Sequence, residues 1–214
     1  MKESYTHIHV LLDRTGSMEA IRDDTIGGFN TFLKDQKAMP GEATLSLIQF
    51  DSQNPYEVIH DFKPLKDVPE LTRETFVPRA MTPLLDAIGR TINDVESRVK
   101  ALGEHRVVVV IITDGQENAS REFRKDQIEK MVREKQSSDK WQFAFLSADL
   151  ASIGDAMSWG FRAQSTMAYD PNQAGVKNMY TAMSQSIASY RAGKDSITFT
   201  EEDRKKQKSE STRK

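Results

Sequence analysis

Apolar positions along the chain switch between strand-like and helix-like periods. Ile8 to Leu12 is a short apolar strand. From Met18 to Lys37, the residues Met18, Ile21, Ile26, Phe29, Phe32 and Leu33 recur at helical spacing. Pro40-Gly41 breaks the chain, and Ala43 to Phe50 then reads as a strand in which Leu45 and Leu47 alternate with Thr44 and Ser46. After a turn at Asp51 to Pro55, Tyr56 to Phe62 reads as a second strand. So short a connection predicts an antiparallel hairpin.

Lys63 to Met81, with three prolines, is the least regular stretch. Pro83 stands where proline favours the first turn of a helix. That helix carries Leu84, Leu85, Ile88, Ile92, Val95, Val99 and Leu102 on one face. Arg106 to Thr113 is continuously apolar from Val107 to Ile112, the pattern of a strand buried on both faces of a parallel sheet. A helix at Arg124 to Ser137, a strand at Trp141 to Ser147 and a short helix at Leu150 to Trp159 follow. An edge strand at Phe161 to Met167 and a helix at Pro171 to Tyr190 complete the series. The order predicts an α/β fold: a Rossmann-like, doubly wound, mostly parallel sheet with one antiparallel edge strand and helices on both faces.

The pattern weakens at the C-terminus. Residues 194–214 hold seven basic and five acidic side chains, and from Glu201 onward no apolar one. The expected organisation is one domain over 1–193 and a charged, disordered tail over 194–214. At 214 residues the chain is long enough for a substantial single core. It has no cysteine, which excludes disulfides, thiolate metal sites and thiol catalysis. A net charge of −2 and a mean hydropathy of −0.60 give no general positive field for nucleic acid or anionic membrane. The longest apolar run, six residues, is far below a membrane span, and the N-terminal run is too short for a signal peptide. The expectation is a cytoplasmic protein without nucleic-acid or membrane partners.

Candidate chemistry collects at strand ends. Leu12 is followed by Asp13, Thr15 and Ser17 at alternate positions just before a helix. Alone, that segment suits helix capping. Two further features shift the balance: Asp114 ends the buried strand, and Thr82 sits in the loop before Pro83. Ligands of doubly wound sheets bind outside the carboxyl ends of strands at the topological switch point. If the Ile8 and Val107 strands are neighbours there, Asp13, Thr15, Ser17 and Asp114 converge, and Thr82 closes the site from the side. These are hard oxygen donors, suited to Mg2+ or Mn2+ and poorly suited to zinc or copper.

The constellation resembles the metal-ion-dependent adhesion site of von Willebrand factor A domains, whose motif is Asp-x-Ser-x-Ser, then Thr, then Asp. Here it stands as Asp13-Arg-Thr15-Gly-Ser17, Thr82 in Met-Thr-Pro-Leu, and Asp114 in Thr-Asp-Gly, with Thr15 in place of the first serine. The resemblance covers about 1–190 and is most similar to compact bacterial or phage intracellular members. It implies that Thr15, Ser17 and, in the ligand-ready state, Thr82 supply hydroxyl oxygens to Mg2+ (Mn2+ or Ca2+ being alternatives). Asp13 and Asp114 would hold metal-bound waters. It further implies a non-enzymatic protein-binding module in which a partner's Asp or Glu completes the metal, with an AAA+ ATPase system as a partner by family analogy.

Other chemistries find less support. The strand-end Asp13-x-Thr15 is also similar to haloacid-dehalogenase-type phosphotransferases, but those need a carboxylate where Thr15 stands. This leaves a Mg2+-dependent phosphoryl-transfer or hydrolytic enzyme as the competing reading. No P-loop or Gly-x-Ser-x-Gly motif occurs. His7, His9, His60 and His105 lie at strand edges or starts without metal-ligand spacing and read as structural. Glu117-Asn118 fits either a rim of the metal site or a polar turn, and Asp149 fits a helix cap.

Overall fold

The computed structural model describes residues 5–102 and 105–208. Six strands form one sheet in the order β3-β2-β1-β4-β5-β6. They are β1 (Tyr5–Asp13), β2 (Ala43–Phe50), β3 (Glu57–Pro64), β4 (His105–Thr113), β5 (Trp141–Ser147) and β6 (Thr166–Ala168). All pairings are parallel except β2 with β3, the expected hairpin. β1 lies between β2 and β4, so the chain winds outward in both directions from the β1/β4 junction. That junction is the switch point, and the register pairs Leu12 with Ile112 and so carries Asp13 and Thr113 to the same level.

The strand residues alternate between two cores. Ile8, Val10 and Leu12 of β1, with Val108, Val110 and Ile112 of β4, pack under α1 (Arg22–Lys37) and α5 (Gln173–Arg191). Leu11, with Val107, Val109 and Ile111, packs under α2 (Leu84–Leu102), α3 (Lys125–Gln136) and α4 (Leu150–Ser158). This two-sided burial explains the unbroken apolar run of β4: no face of that strand meets water. No helix among the described residues is long and apolar enough to cross a membrane.

α1 and α5 approach closely at Gly28. A Cβ built there would lie 2.1 Å from Cδ2 of Tyr180, a side chain that is itself buried. Gly28→Ala is therefore expected to destabilise the protein by about 3 kcal/mol, because the added methyl overlaps a buried ring and the ring or a helix must shift to admit it. A urea midpoint equal to wild type would show that the helices can separate without cost.

Four expectations need correction. The helix expected from Met18 begins as a 3₁₀ turn, Gly16–Ile21, and becomes α1 only at Arg22. The last edge strand spans only Thr166–Ala168, because Phe161 turns into the α3/α4 core, 5.6 Å from the Phe143 ring and 5.3 Å from Phe145. The expectation of a disordered tail does not hold over 194–208. Ile197 and Phe199 are buried in the α1/α5 core, and α6 (Glu201–Lys208) follows. Arg204 of α6 donates to the Thr166 and Ala163 carbonyls at 2.7 and 2.8 Å. Two apolar residues within a polar stretch suffice to dock it. The rest of the expected tail, 209–214, lies outside the described residues. His7 and His9 are wholly buried within β1, next to the middle of the sheet and not at its rim.

Candidate metal site at the carboxyl ends of β1 and β4

Four of the five expected site residues are joined by direct contacts. Asp13, fully buried at the end of β1, accepts the Thr15 amide on Oδ1 at 2.7 Å and the Thr113 hydroxyl on Oδ2 at 2.6 Å. The first bond curls the chain out of the strand and turns the Thr15 hydroxyl toward Ser17, whose Oγ lies 3.3 Å away. Ser17 Oγ then donates to Asp114 Oδ1 at 2.7 Å, spanning 97 residues of sequence. Ser17 is exposed and Asp114 half-buried, so this cluster opens to solvent on one side only.

Thr82 arrives from the irregular loop. A Cβ built on Gly115 would lie 3.9 Å from both Ser17 Oγ and Thr82 Oγ1, so the two hydroxyls face the same small space. Glycine at 115 leaves that space open. Thr82 is held by a reciprocal pair with Asn118: its amide donates to Asn118 Oδ1 at 2.9 Å, and the Asn118 amide donates to its carbonyl at 3.1 Å.

The two alternatives for Glu117 are now separated. Its Oε1 accepts the Ala119 and Ser120 amides at 2.9 and 2.8 Å, and its Oε2 accepts the Leu85 amide and the Ser120 hydroxyl at 2.9 and 2.7 Å. Both oxygens are thus committed to a polar turn. Asp86 acts similarly, accepting the amides of Arg121, Glu122 and Phe123. Together the two carboxylates lash the loop after β4 to the first turn of α2, which places Thr82 beside Gly115. Asp149 caps α4 by accepting the Ser152 amide at 2.8 Å.

The donor set fits a hard divalent cation. Its members are two carboxylates and three hydroxyls, with no nitrogen or sulfur ligand among them. Among the described residues no three His, Cys, Asp or Glu side chains gather as a metal site, so any ion here depends on the hydroxyls. The electrostatics agree with a place for positive charge. Burial pushes the Asp13 carboxyl up to about 7, against the pull of its bonds from Thr113 and Thr15, and nearby Asp114 adds to the rise. Burial also raises Asp114, opposed by the Ser17 hydroxyl. A neighbouring cation would reverse both shifts.

Residues that the motif did not mark complete the frame. Thr113 orients Asp13, Asn118 holds Thr82, and Gly115 keeps the centre open. Thr113 and Gly115 flank Asp114 in sequence, so adjacency was the available signal. Asn118 fitted either a rim of the site or a polar turn, and its bonds to Thr82 depend on a loop 36 residues away.

No family model matches this chain, and no curated protein matches it in sequence. Solved structures do match in shape. Proximal thread matrix protein 1 from the mussel byssus superposes with a TM-score of 0.59 at 11% identity, over 88% of this chain and 46% of that one. A von Willebrand factor type A from Catenulispora acidiphila gives 0.57 at 9% identity, over 86% and 42%. The pilus adhesin SpaC from Lactobacillus rhamnosus GG, in an open conformation, gives 0.69 at 11% identity, over 89% and 31%. The chain spans less than half the length of each of these proteins. At such identities the likeness concerns the fold alone: the chain has a von Willebrand factor A-like α/β sandwich.

Proposed function

We propose that this chain is a protein-binding module of von Willebrand factor A type. Asp13, Thr15, Ser17, Thr82 and Asp114 bind a divalent cation, Mg2+ by preference, and a partner's Asp or Glu carboxylate completes its coordination. The observation that carries the reading is the Ser17 Oγ to Asp114 Oδ1 bond of 2.7 Å, which joins the two strand ends at the switch point. When bound, the ion supplies a centre of positive charge that neutral hydroxyl ligands leave largely uncompensated and open to an outside carboxylate. Thr15 and Ser17 present their hydroxyls from one turn, and Thr82 presents a third from across the opening. Asp13 and Asp114 orient those hydroxyls and hold water. The proposed setting is the cytoplasm of a bacterium or phage-infected cell, with an AAA+ ATPase system as one candidate partner.

The enzyme alternative, Mg2+-dependent phosphoryl transfer or hydrolysis, has less support. Both Asp13 oxygens accept hydrogen bonds inside the fold and the residue is fully buried, so its carboxylate is badly placed to attack a substrate. Turnover of phosphate esters that requires Mg2+ and disappears in Asp114→Ala would favour the enzyme.

The test of metal binding is thermal. Mg2+ at about 100-fold its Kd stabilises by roughly 2.7 kcal/mol, which raises the Tm of a domain this size by roughly 5–10 °C. Asp114→Ala is expected to fold normally and to lose the shift, since a half-buried strand-end carboxylate contributes little packing. An unchanged Tm with Mg2+ and Mn2+, and no heat on titration, would overturn the metal reading. Affinity capture with and without a chelator then identifies carboxylate-bearing partners as the proteins lost on chelation.

A further inference from the structure

Between the 3₁₀ turn Leu65–Asp67 and α2 the chain has no regular element, yet the segment that delivers Thr82 is tied down at three consecutive residues. The Arg79 amide donates to the Arg14 carbonyl at 2.8 Å, and the Gly16 amide donates to the Ala80 carbonyl at 3.1 Å. Met81 exchanges two bonds with Ser52, its carbonyl accepting the Ser52 amide at 2.8 Å and its amide donating to Ser52 Oγ at 3.1 Å. Between these bonds Ala80 sits at φ 60, a left-handed conformation that a non-glycine residue keeps only when its surroundings impose it.

The anchor points converge on one carboxylate. Asp51, fully buried just after β2, accepts the Gln53 and Asn54 amides on Oδ1 at 2.6 and 3.0 Å. Its Oδ2 accepts Nε of Arg14 at 2.6 Å and Nε of Arg79 at 3.0 Å. Glu57 of β3 pairs with both guanidinium groups, so two cations meet two anions. Arg14 belongs to the Asp13–Ser17 turn, Asp51 to the β2–β3 turn, and Arg79 to the Thr82 loop. The Arg14–Asp51 pair is the buried centre of this network, Arg79 and Glu57 are its partly exposed rim, and both Asp51 oxygens are fully used.

We propose that Asp51, Arg14 and Arg79 are positioning residues that set where Thr82 stands relative to the Asp13–Ser17 turn, a role that rests on reading Thr82 as part of the metal site. Asn118 braces Thr82 from the Asp114 side, and the Asp51 network braces it from the Asp13 side. Arg79 is the accessible cation: its side chain is 41% exposed, against 6% for Arg14. Removing its guanidinium releases the loop without opening the core.

The experiment compares wild type, Arg79→Ala, Thr82→Ala and the double variant in two measurements. In metal-free protein, amide exchange at Gly16 and Met81 should accelerate about tenfold or more in Arg79→Ala, while β4 amides keep their protection. In Mn2+ titration calorimetry, Arg79→Ala should weaken binding by about the factor that Thr82→Ala does, roughly tenfold. The double variant should bind no more weakly than Thr82→Ala, because both changes remove one contact. Arg79→Lys, which keeps a charged donor toward Asp51, should recover part of the affinity. Losses that multiply in the double variant, or exchange at Gly16 and Met81 that does not change, would overturn the positioning role. Arg79→Gln replaces the alanine variant if the latter unfolds. Wild-type protein that takes up no Mn2+ overturns the metal reading instead, and the exchange measurement alone then decides whether Arg79 holds the loop.

Discussion

Replacing His9 with leucine is expected to raise the unfolding free energy at pH 7 by about 2 kcal/mol, and to remove a large part of the protein's sensitivity to acid. His9 is wholly buried on β1, in register between Ser46 and Val109, and neither ring nitrogen has a hydrogen-bond partner among the described residues. Its neighbours offer no counter-charge: the His7 ring stands edge-on at 5.8 Å, and Arg98 is the charged group that acts on it. Burial, reinforced by Arg98, lowers its pKa to about 3. The unfolded chain therefore takes up a proton near 6.5 that the folded protein accepts only near 3. Stability is fully present above 6.5 and falls as the pH drops through that window, by roughly 5 kcal/mol in all. Leucine fills a similar volume, leaves no orphan polar atom and does not titrate. Urea midpoints at pH 7, 5.5 and 4 measure the effect. A variant that loses stability in parallel with wild type would show that another group controls the acid transition.

Asp13 is expected to act in the opposite direction. In metal-free protein its carboxyl is raised to about 7, so the folded state holds a proton that the unfolded chain releases near 3.8. The corresponding stability is present below 3.8 and is lost as the pH rises through 7, roughly 4 kcal/mol over the window. Asp114 is shifted the same way. With a chelator present, Asp13→Asn should abolish most of this decline and be the more stable protein at pH 8, since asparagine still accepts the Thr15 amide. Adding Mg2+ at pH 8 should restore wild type and leave the asparagine variant nearly unchanged. The His9 and Asp13 slopes oppose each other between pH 4 and 6.5, so wild type alone shows only their difference, and the two variants are needed to reveal them. Asp13→Asn that is less stable than wild type at pH 8 in chelator would show that the buried carboxylate is already compensated within the fold.

Much of this molecule was legible from spacing. The apolar run at Val107 to Ile112, the helical spacing of Leu84 to Val95 and the short Asp51 to Pro55 turn determined strands, helices and the hairpin, because each is a local period that one segment of chain must satisfy on its own. Asp13, Thr15 and Ser17 were visible as one polar segment at a strand end, but that segment alone suited helix capping, because the turn that joins their side chains does not follow from strand alternation. The tertiary structure decided what depends on partners far along the chain. It placed Asp114 against Ser17 across 97 residues and buried His9 between sheet and helix. It turned Glu117 inward to bind backbone amides, and docked Ile197 and Phe199 where composition alone indicated a free tail. It also drew Arg14 and Arg79 onto Asp51. A charged or polar residue has the same local pattern whether it faces water or a buried counterpart. Only the packing of distant segments supplies the low dielectric and the second partner that separate the two.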